Sequence, residues 1–172
     1  MFKSTAARQP DRDIAMTITI TSNAFDDGQR IPLKYTGDGQ NVSPSLAWDN
    51  VPRSAKELAL ICDDPDAPVA EPWVHWVVYR LPAALTALPE AVSRDPRLQS
   101  PPGVLQGKNS WNTPGYRGPE PPKGHGVHHY HFKLYALDAP LQLSSGLDKQ
   151  ALLNAMTGHI LADGELIGTY ER

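Results

Sequence analysis

The chain has 172 residues, 40% of them hydrophobic and 20% charged, a size and balance that fit one globular domain with its own core. A formal net charge of −3 excludes the basic excess of a nucleic-acid binder and gives little attraction to anionic membrane surfaces. Cys62 is the only cysteine, so no intramolecular disulfide forms, nothing points to an oxidising compartment, and the cytoplasm is the expected location.

Residues Met1 to Ala15 are polar and lack the apolar stretch of a signal peptide. They read as a disordered extension ahead of a single domain from Met16 to Arg172. No apolar run approaches the roughly 18 residues of a membrane span. Thr17 to Ile20 alternates polar and apolar, the pattern of a half-buried strand. Asp38 to Ser45 is rich in turn formers, with Asp38-Gly39 and Ser43-Pro44 as punctuation. A short strand begins at Leu46-Ala47-Trp48. Glu57 to Cys62 reads as a buried strand, which Asp63 to Pro68 cannot continue. Trp73 to Leu81 is strongly β, rich in Val and aromatics, and Pro82 ends it. Seven of the 17 prolines fall between Pro96 and Pro122, so this stretch is neither helix nor central strand. Trp111, Tyr116 and Asn109 within it favour a rigid surface loop over disorder. His128 to Leu137 is a third strong strand. Asp148 caps a helix expected from about Lys149 to Leu161, with Leu152, Leu153, Met156 and Ile160 on one face and Gly164 as its stop. Glu165 to Tyr170 is a last short strand. Many short strands, abundant turns and a few helices make a mainly β protein: an antiparallel β sandwich with a C-terminal helix packed at its edge.

Strand parity connects the residues that carry chemistry. One face of the Trp73 strand holds Trp73, His75, Val77, Tyr79 and Leu81. One face of the His128 strand holds His128, Tyr130, Phe132, Leu134 and Ala136, and the other holds His129, His131 and Lys133. His75 and His128 therefore sit early in their strands, each entered from a proline-rich loop, beside the acidic turn Asp64-Pro-Asp-Ala-Pro68. A lone inward histidine is ordinarily a satisfied structural residue; two at one rim beside an acidic turn point to a site. Asp66 reads as a turn former, and Asp64 either shares that role or orients an imidazole. His125, His128, His129 and His131 do not converge on one ion, because His128 and His129 point to opposite faces. Neither CxxC nor HExxH occurs, so no metal and no cofactor is expected. No G-x-S-x-G elbow surrounds a serine. Cys62, in an apolar strand, reads as buried and inert.

The run Asp64 to Pro68, the segment Trp73-Val-His-Trp76 and the run Gly118 to His128 through Tyr130 resemble the two signature regions of phosphatidylethanolamine-binding proteins. Tyr35 to Pro44, His75 to Tyr79, Leu134 to Asp138 and the stretch from His159 to Tyr170 resemble the bacterial Raf-kinase-inhibitor-like branch of that family. The resemblance implies a Greek-key-like β sandwich with a small pocket at one end for phosphate, phosphoethanolamine or a similar anion. Carried over by position, its walls are Asp64, Pro68, Trp73, His75, Pro122, His128 and Tyr130, with Gly118 and Glu120 in the pocket loop. In that reading imidazole N–H groups and loop amides hold the anion. Glu120 stands where small residues are usual: pointing outward it leaves the pocket open, pointing inward it repels an anion. Gly37 and Arg80 also depart from the usual bacterial residues. The resemblance implies a binding protein, more an inhibitor of a kinase or protease partner than an enzyme, and a homodimer. The alternative is a hydrolase or lyase on a small phosphoester, with His75 and His128 as acid and base.

Overall fold

The computed structural model describes residues 17–172; the extension expected over residues 1–15 lies outside them. Eight strands form two antiparallel sheets. β1 (Thr19–Thr21), β2 (Leu46–Asp49) and β5 (Ala87–Leu88) make a small sheet in the order β1-β2-β5. β3 (Glu57–Asp64), β4 (Trp73–Pro82), β6 (Leu105–Gln106), β7 (His128–Leu137) and β8 (Ile160–Tyr170) make the larger one, in the order β6-β4-β3-β7-β8. The one α-helix among the described residues, α1 (Lys149–Met156), precedes β8, and a short 3-10 turn spans Leu33–Tyr35. This is the mainly β, two-sheet architecture that the sequence pattern implies. Among the described residues no helix is long and apolar enough to cross a membrane.

The centre of the larger sheet is buried on both faces, which is why β3 shows no polar alternation and is buried throughout. Leu58, Leu60, Cys62, Trp76, Val78, Phe132 and Leu134 share one core with Ile20, Leu46, Trp48 and Leu88 from the small sheet and with Ile18 just ahead of it. Ala59, Ile61, Val77 and Tyr79 pack on the opposite face against Leu152 and Met156 of α1. The helix therefore covers the outer face of the larger sheet.

Four element boundaries differ from the sequence expectation, each for a local reason. β3 runs on through Asp63 and Asp64, because both carboxylates find partners: Lys149 at 2.6 Å and Lys133 at 3.4 Å for Asp63, and His128 for Asp64. Asp148 does cap α1, accepting from Ala151 N–H at 2.8 Å. The helix nevertheless stops at Met156, with Gly158 in the left-handed region at φ 82°. Ile160 then opens β8 and is 45% exposed, so it is not on the buried helix face. Gly164 lies inside β8, where its backbone passes so close to Ile18 that a Cβ would sit 1.9 Å from that carbonyl oxygen. The first strand is Thr19–Thr21, two residues later than the alternation begins.

The most consequential difference lies in β4. Its register against β3 pairs Cys62 with Trp76 and Asp63 with Val74, which leaves His75 as the extra residue of a β-bulge. A second irregularity falls between Leu58 and Leu60, opposite Arg80, whose φ is 60°. Simple alternation places His75 with Val77, Tyr79 and Leu81. The first bulge instead turns His75 to the side of Trp76, the face that Tyr130 occupies on β7. The second moves Leu81 to the inter-sheet core, away from Val77 and Tyr79. Bulges re-aim side chains in this way and concentrate next to functional sites.

Candidate functional site

Antiparallel pairing brings the end of β3, the starts of β4 and β7 and the end of β8 to one rim of the larger sheet. A cavity of about 600 Å³ opens there, between the loop after β3, the proline-rich loop before β7 and the last residue of the chain. Of the expected site residues, Asp64, Pro68, Trp73, His75, Glu120, Pro122, His128 and Tyr130 line it. Gly118 does not. Its N–H donates to Asn41 Oδ1 at 2.7 Å, and a Cβ there would lie 2.1 Å from the Tyr35 carbonyl oxygen. Gly118 seats the pocket loop on the segment below it and has no amide free for a ligand. Gly118→Ala is expected to cost about 1–3 kcal/mol, the usual penalty of overpacking. Urea denaturation checks this, and an unchanged midpoint would show that the loop is not held there.

Asp64 performs both roles open to it. Its Oδ1 accepts the Asp66 amide at 2.8 Å, forming the turn, and its Oδ2 meets His128 Nδ1 at 2.7 Å. Asp66 in turn accepts from His129 N–H at 2.8 Å, which ties the acidic turn to β7. The far nitrogen of His128, Nε2, lies 2.7 Å from His125 Nδ1. A carboxylate and two imidazoles thus form a chain from the buried rim to the surface. His125 stands between Gly124 and Gly126, both in the left-handed region.

His75 is 2% exposed, and its Nδ1 lies 2.6 Å from the Arg117 carbonyl. Burial pushes its pKa down to about 4, against the smaller opposing effect of that carbonyl. The ring is therefore neutral at physiological pH. It packs edge-on against Tyr130 at 5.0 Å and Trp111 at 5.2 Å. Tyr130 is 1% exposed, its hydroxyl has no partner among the described residues, and burial raises its pKa, so it stays a donor.

Six wall residues were not expected from the sequence: Ala67, Val69 and Pro121, which add apolar surface, and Trp111, Arg117 and Arg172, which bear on the chemistry. The Arg117 guanidinium lies 4.5 Å from the Trp111 ring centre, and its Nε is buried without a partner. Glu120 turns toward the cavity, but its charge is offset. Its carboxylate lies 3.9 Å from Arg117 and 3.6 Å from Arg172. Gly37 explains how this side chain fits: a Cβ at Gly37 would meet Glu120 Cβ and Oε2 at 2.9 Å. Glu120 and Gly37 are thus spatially coupled, since the carboxylate occupies the space that a side chain at position 37 would fill. The adjacency of Arg117 to the Gly118 loop was the one available signal for it. Arg172 had none, because only the fold returns the chain's end to this rim.

The family model for phosphatidylethanolamine-binding protein matches residues 21–171. The UPF0098 protein of Methanothermobacter thermautotrophicus is 52% identical over 155 residues, covering 90% of this chain and 99% of the relative. The crystal structure of a putative phosphatidylethanolamine-binding protein homologue from Chlamydia trachomatis superposes with a TM-score of 0.81 at 41% identity, covering 92% of this chain and 99% of the other. That of YbcL from E. coli, described as a member of the mammalian family, gives 0.83 at 34% identity, covering 90% and 98%. With the fold and nearly the full length matched, the chain belongs to the phosphatidylethanolamine-binding protein family.

Proposed function

We propose that the rim cavity binds a small anion of the phosphate or phosphoethanolamine type, and that the protein acts by binding. The observation that carries this reading is the pair of unpartnered donors in the wall, the Tyr130 hydroxyl and Arg117 Nε. Buried polar groups are nearly always satisfied, so two orphans on residues that line one cavity favour an acceptor-rich occupant. Arg172 adds positive charge at the mouth, and Trp73 and Trp111, edge to face at 5.4 Å, give an apolar wall that suits the carbon and ammonium parts of a headgroup. By family analogy the bound state would modulate a protein partner of the kinase or protease class, in the cytoplasm and as a homodimer. Pull-down with and without phosphoethanolamine tests the partner, and light scattering tests the dimer.

Calorimetric titration with phosphate and phosphoethanolamine near pH 6.5 tests the pocket. Wild type is expected to bind, and Tyr130→Phe to bind about 10-fold or more weakly, as for the loss of one hydrogen bond to a charged group. Equal affinity in the two proteins would remove Tyr130 from the site, and absence of heat in wild type would remove the anion reading.

One observation favours a second reading, hydrolysis or elimination of a small phosphoester. The Asp64–His128–His125 chain has the order of an oriented general base. Against it, no serine, threonine or cysteine lines the cavity. Multiple turnover of a phosphoester panel by the wild-type protein would establish it.

A further inference from the structure

The hydrogen bonds around the cavity decide more than the sign of its ligand. His75 Nδ1 faces the Arg117 carbonyl at 2.6 Å, and a carbonyl only accepts, so the ring proton sits on Nδ1. His75 has no carboxylate partner and is 2% exposed, so a second proton is disfavoured. Its Nε2 is therefore a lone-pair acceptor. His128 offers no free N–H either. Its Nδ1 is committed to Asp64 and its Nε2 to His125. Glu120 contributes a second acceptor to the lining. The side-chain donors are Tyr130, Arg117 and Arg172, together with the indole N–H groups of Trp73 and Trp111. This reverses the expectation that the imidazoles donate to the anion. The wall mixes donors with acceptors, and a fully deprotonated oxyanion would set an oxygen lone pair against His75 Nε2.

Resting on the anion reading above, we propose that the cavity selects a phosphate group still carrying one P–OH proton, whether inorganic phosphate or a phosphomonoester, and discriminates against sulfate and phosphodiesters. The P–OH donates to an acceptor of the wall, while the remaining oxygens accept from Tyr130 and the arginines. A phosphomonoester has its second pKa near 6, so the singly protonated form is well populated close to neutrality. Sulfate is fully ionised there, and a diester has no P–OH proton at neutral pH. The intact headgroup linkage of a phospholipid is a diester, so this selection favours the free monoester over the lipid itself. A site with a buried acceptor rejects analogues that lack the matching donor, by up to about 10⁵-fold in closed sites. The mouth here is open and Glu120 is 39% exposed, so a discrimination of about 10-fold or more is expected.

The test is competition calorimetry at pH 6.5 with four ligands: inorganic phosphate, phosphoethanolamine, glycerophosphoethanolamine and sulfate. Phosphate is expected to bind about 10-fold or more tightly than sulfate, and phosphoethanolamine than its glycerol diester, by the same ratio. Binding of phosphate without phosphoethanolamine would support the selection and name free phosphate as the source. Sulfate or the diester binding as well as its protonated counterpart would overturn the selection and leave the anion pocket standing. No binding by any of the four would overturn both. A second readout is independent of affinity. Nitrogen-15 NMR of the His75 ring in the free protein is expected to show an unprotonated Nε2, and a protonated Nε2 would overturn the proposal.

Discussion

His128→Ala is expected to destabilise the protein by about 3 kcal/mol or more, the cost of leaving a buried carboxylate short of a hydrogen-bond donor. The His128 side chain is 1% exposed and that of Asp64 is 5% exposed. With the imidazole gone, the Asp64 carboxylate keeps the Asp66 amide at 2.8 Å but loses its other partner, in a place water barely reaches. The acidic turn that walls the cavity would loosen with it, so phosphate binding should be lost as well. His128→Asn supplies the contrast. Its side-chain N–H can still donate to Asp64 Oδ2, and the expected loss is about 1 kcal/mol, that of an ordinary hydrogen bond. Urea denaturation at pH 7 separates the two. Equal losses of about 1 kcal/mol would show that water reaches the pair and that the rim is not sealed by it.

Acid should weaken the fold through His75. The pKa of this group is 6.5 in an unconstrained chain and about 4 in the fold, where burial disfavours the charged ring. Between those values the unfolded chain binds a proton at His75 that the folded chain refuses. Unfolding free energy therefore rises with pH across the window. The stability is complete above pH 6.5, falls as pH drops toward 4, and does not fall further from this group below that. Across the window the loss amounts to about 3 kcal/mol. His75→Asn keeps an N–H for the Arg117 carbonyl and removes the titration. Its denaturation midpoints should be flatter than those of wild type between pH 6.5 and pH 4. Parallel curves for the two proteins would show that His75 is hydrated and titrates normally.

Much of the framework was legible in the chain because local rules dominate it. β7 runs His128–Leu137, the bounds expected from the sequence, and its alternation correctly separates the core-facing row from His129, His131 and Lys133. Asp148 caps the helix because a short carboxylate ahead of an apolar stripe has few other uses. The rim residues were legible for a related reason. Loops rich in proline deliver them at strand starts, and antiparallel strands put such starts and the neighbouring ends together.

What alternation could not show is what non-local pairing imposes. Nothing in Trp73-Val-His-Trp76 signals a bulge, since a bulge exists only relative to the partner strand. Yet the bulge, through the register of Cys62 and Asp63, aims His75 into the cavity. The helix ran long on paper because Ile160 continues its stripe, whereas β7 claims that residue for β8. Glu120 and Gly37 lie far apart in the chain and meet only when the pocket loop folds over the segment after Ile31. Sequence by itself determined the strand content, the family and the identity of most wall residues, because side-chain chemistry and period are local properties. Tertiary structure alone decided which imidazole nitrogen carries the proton, which donors go unpartnered and where the charges of Arg117 and Arg172 fall, because each depends on atoms brought together from distant strands.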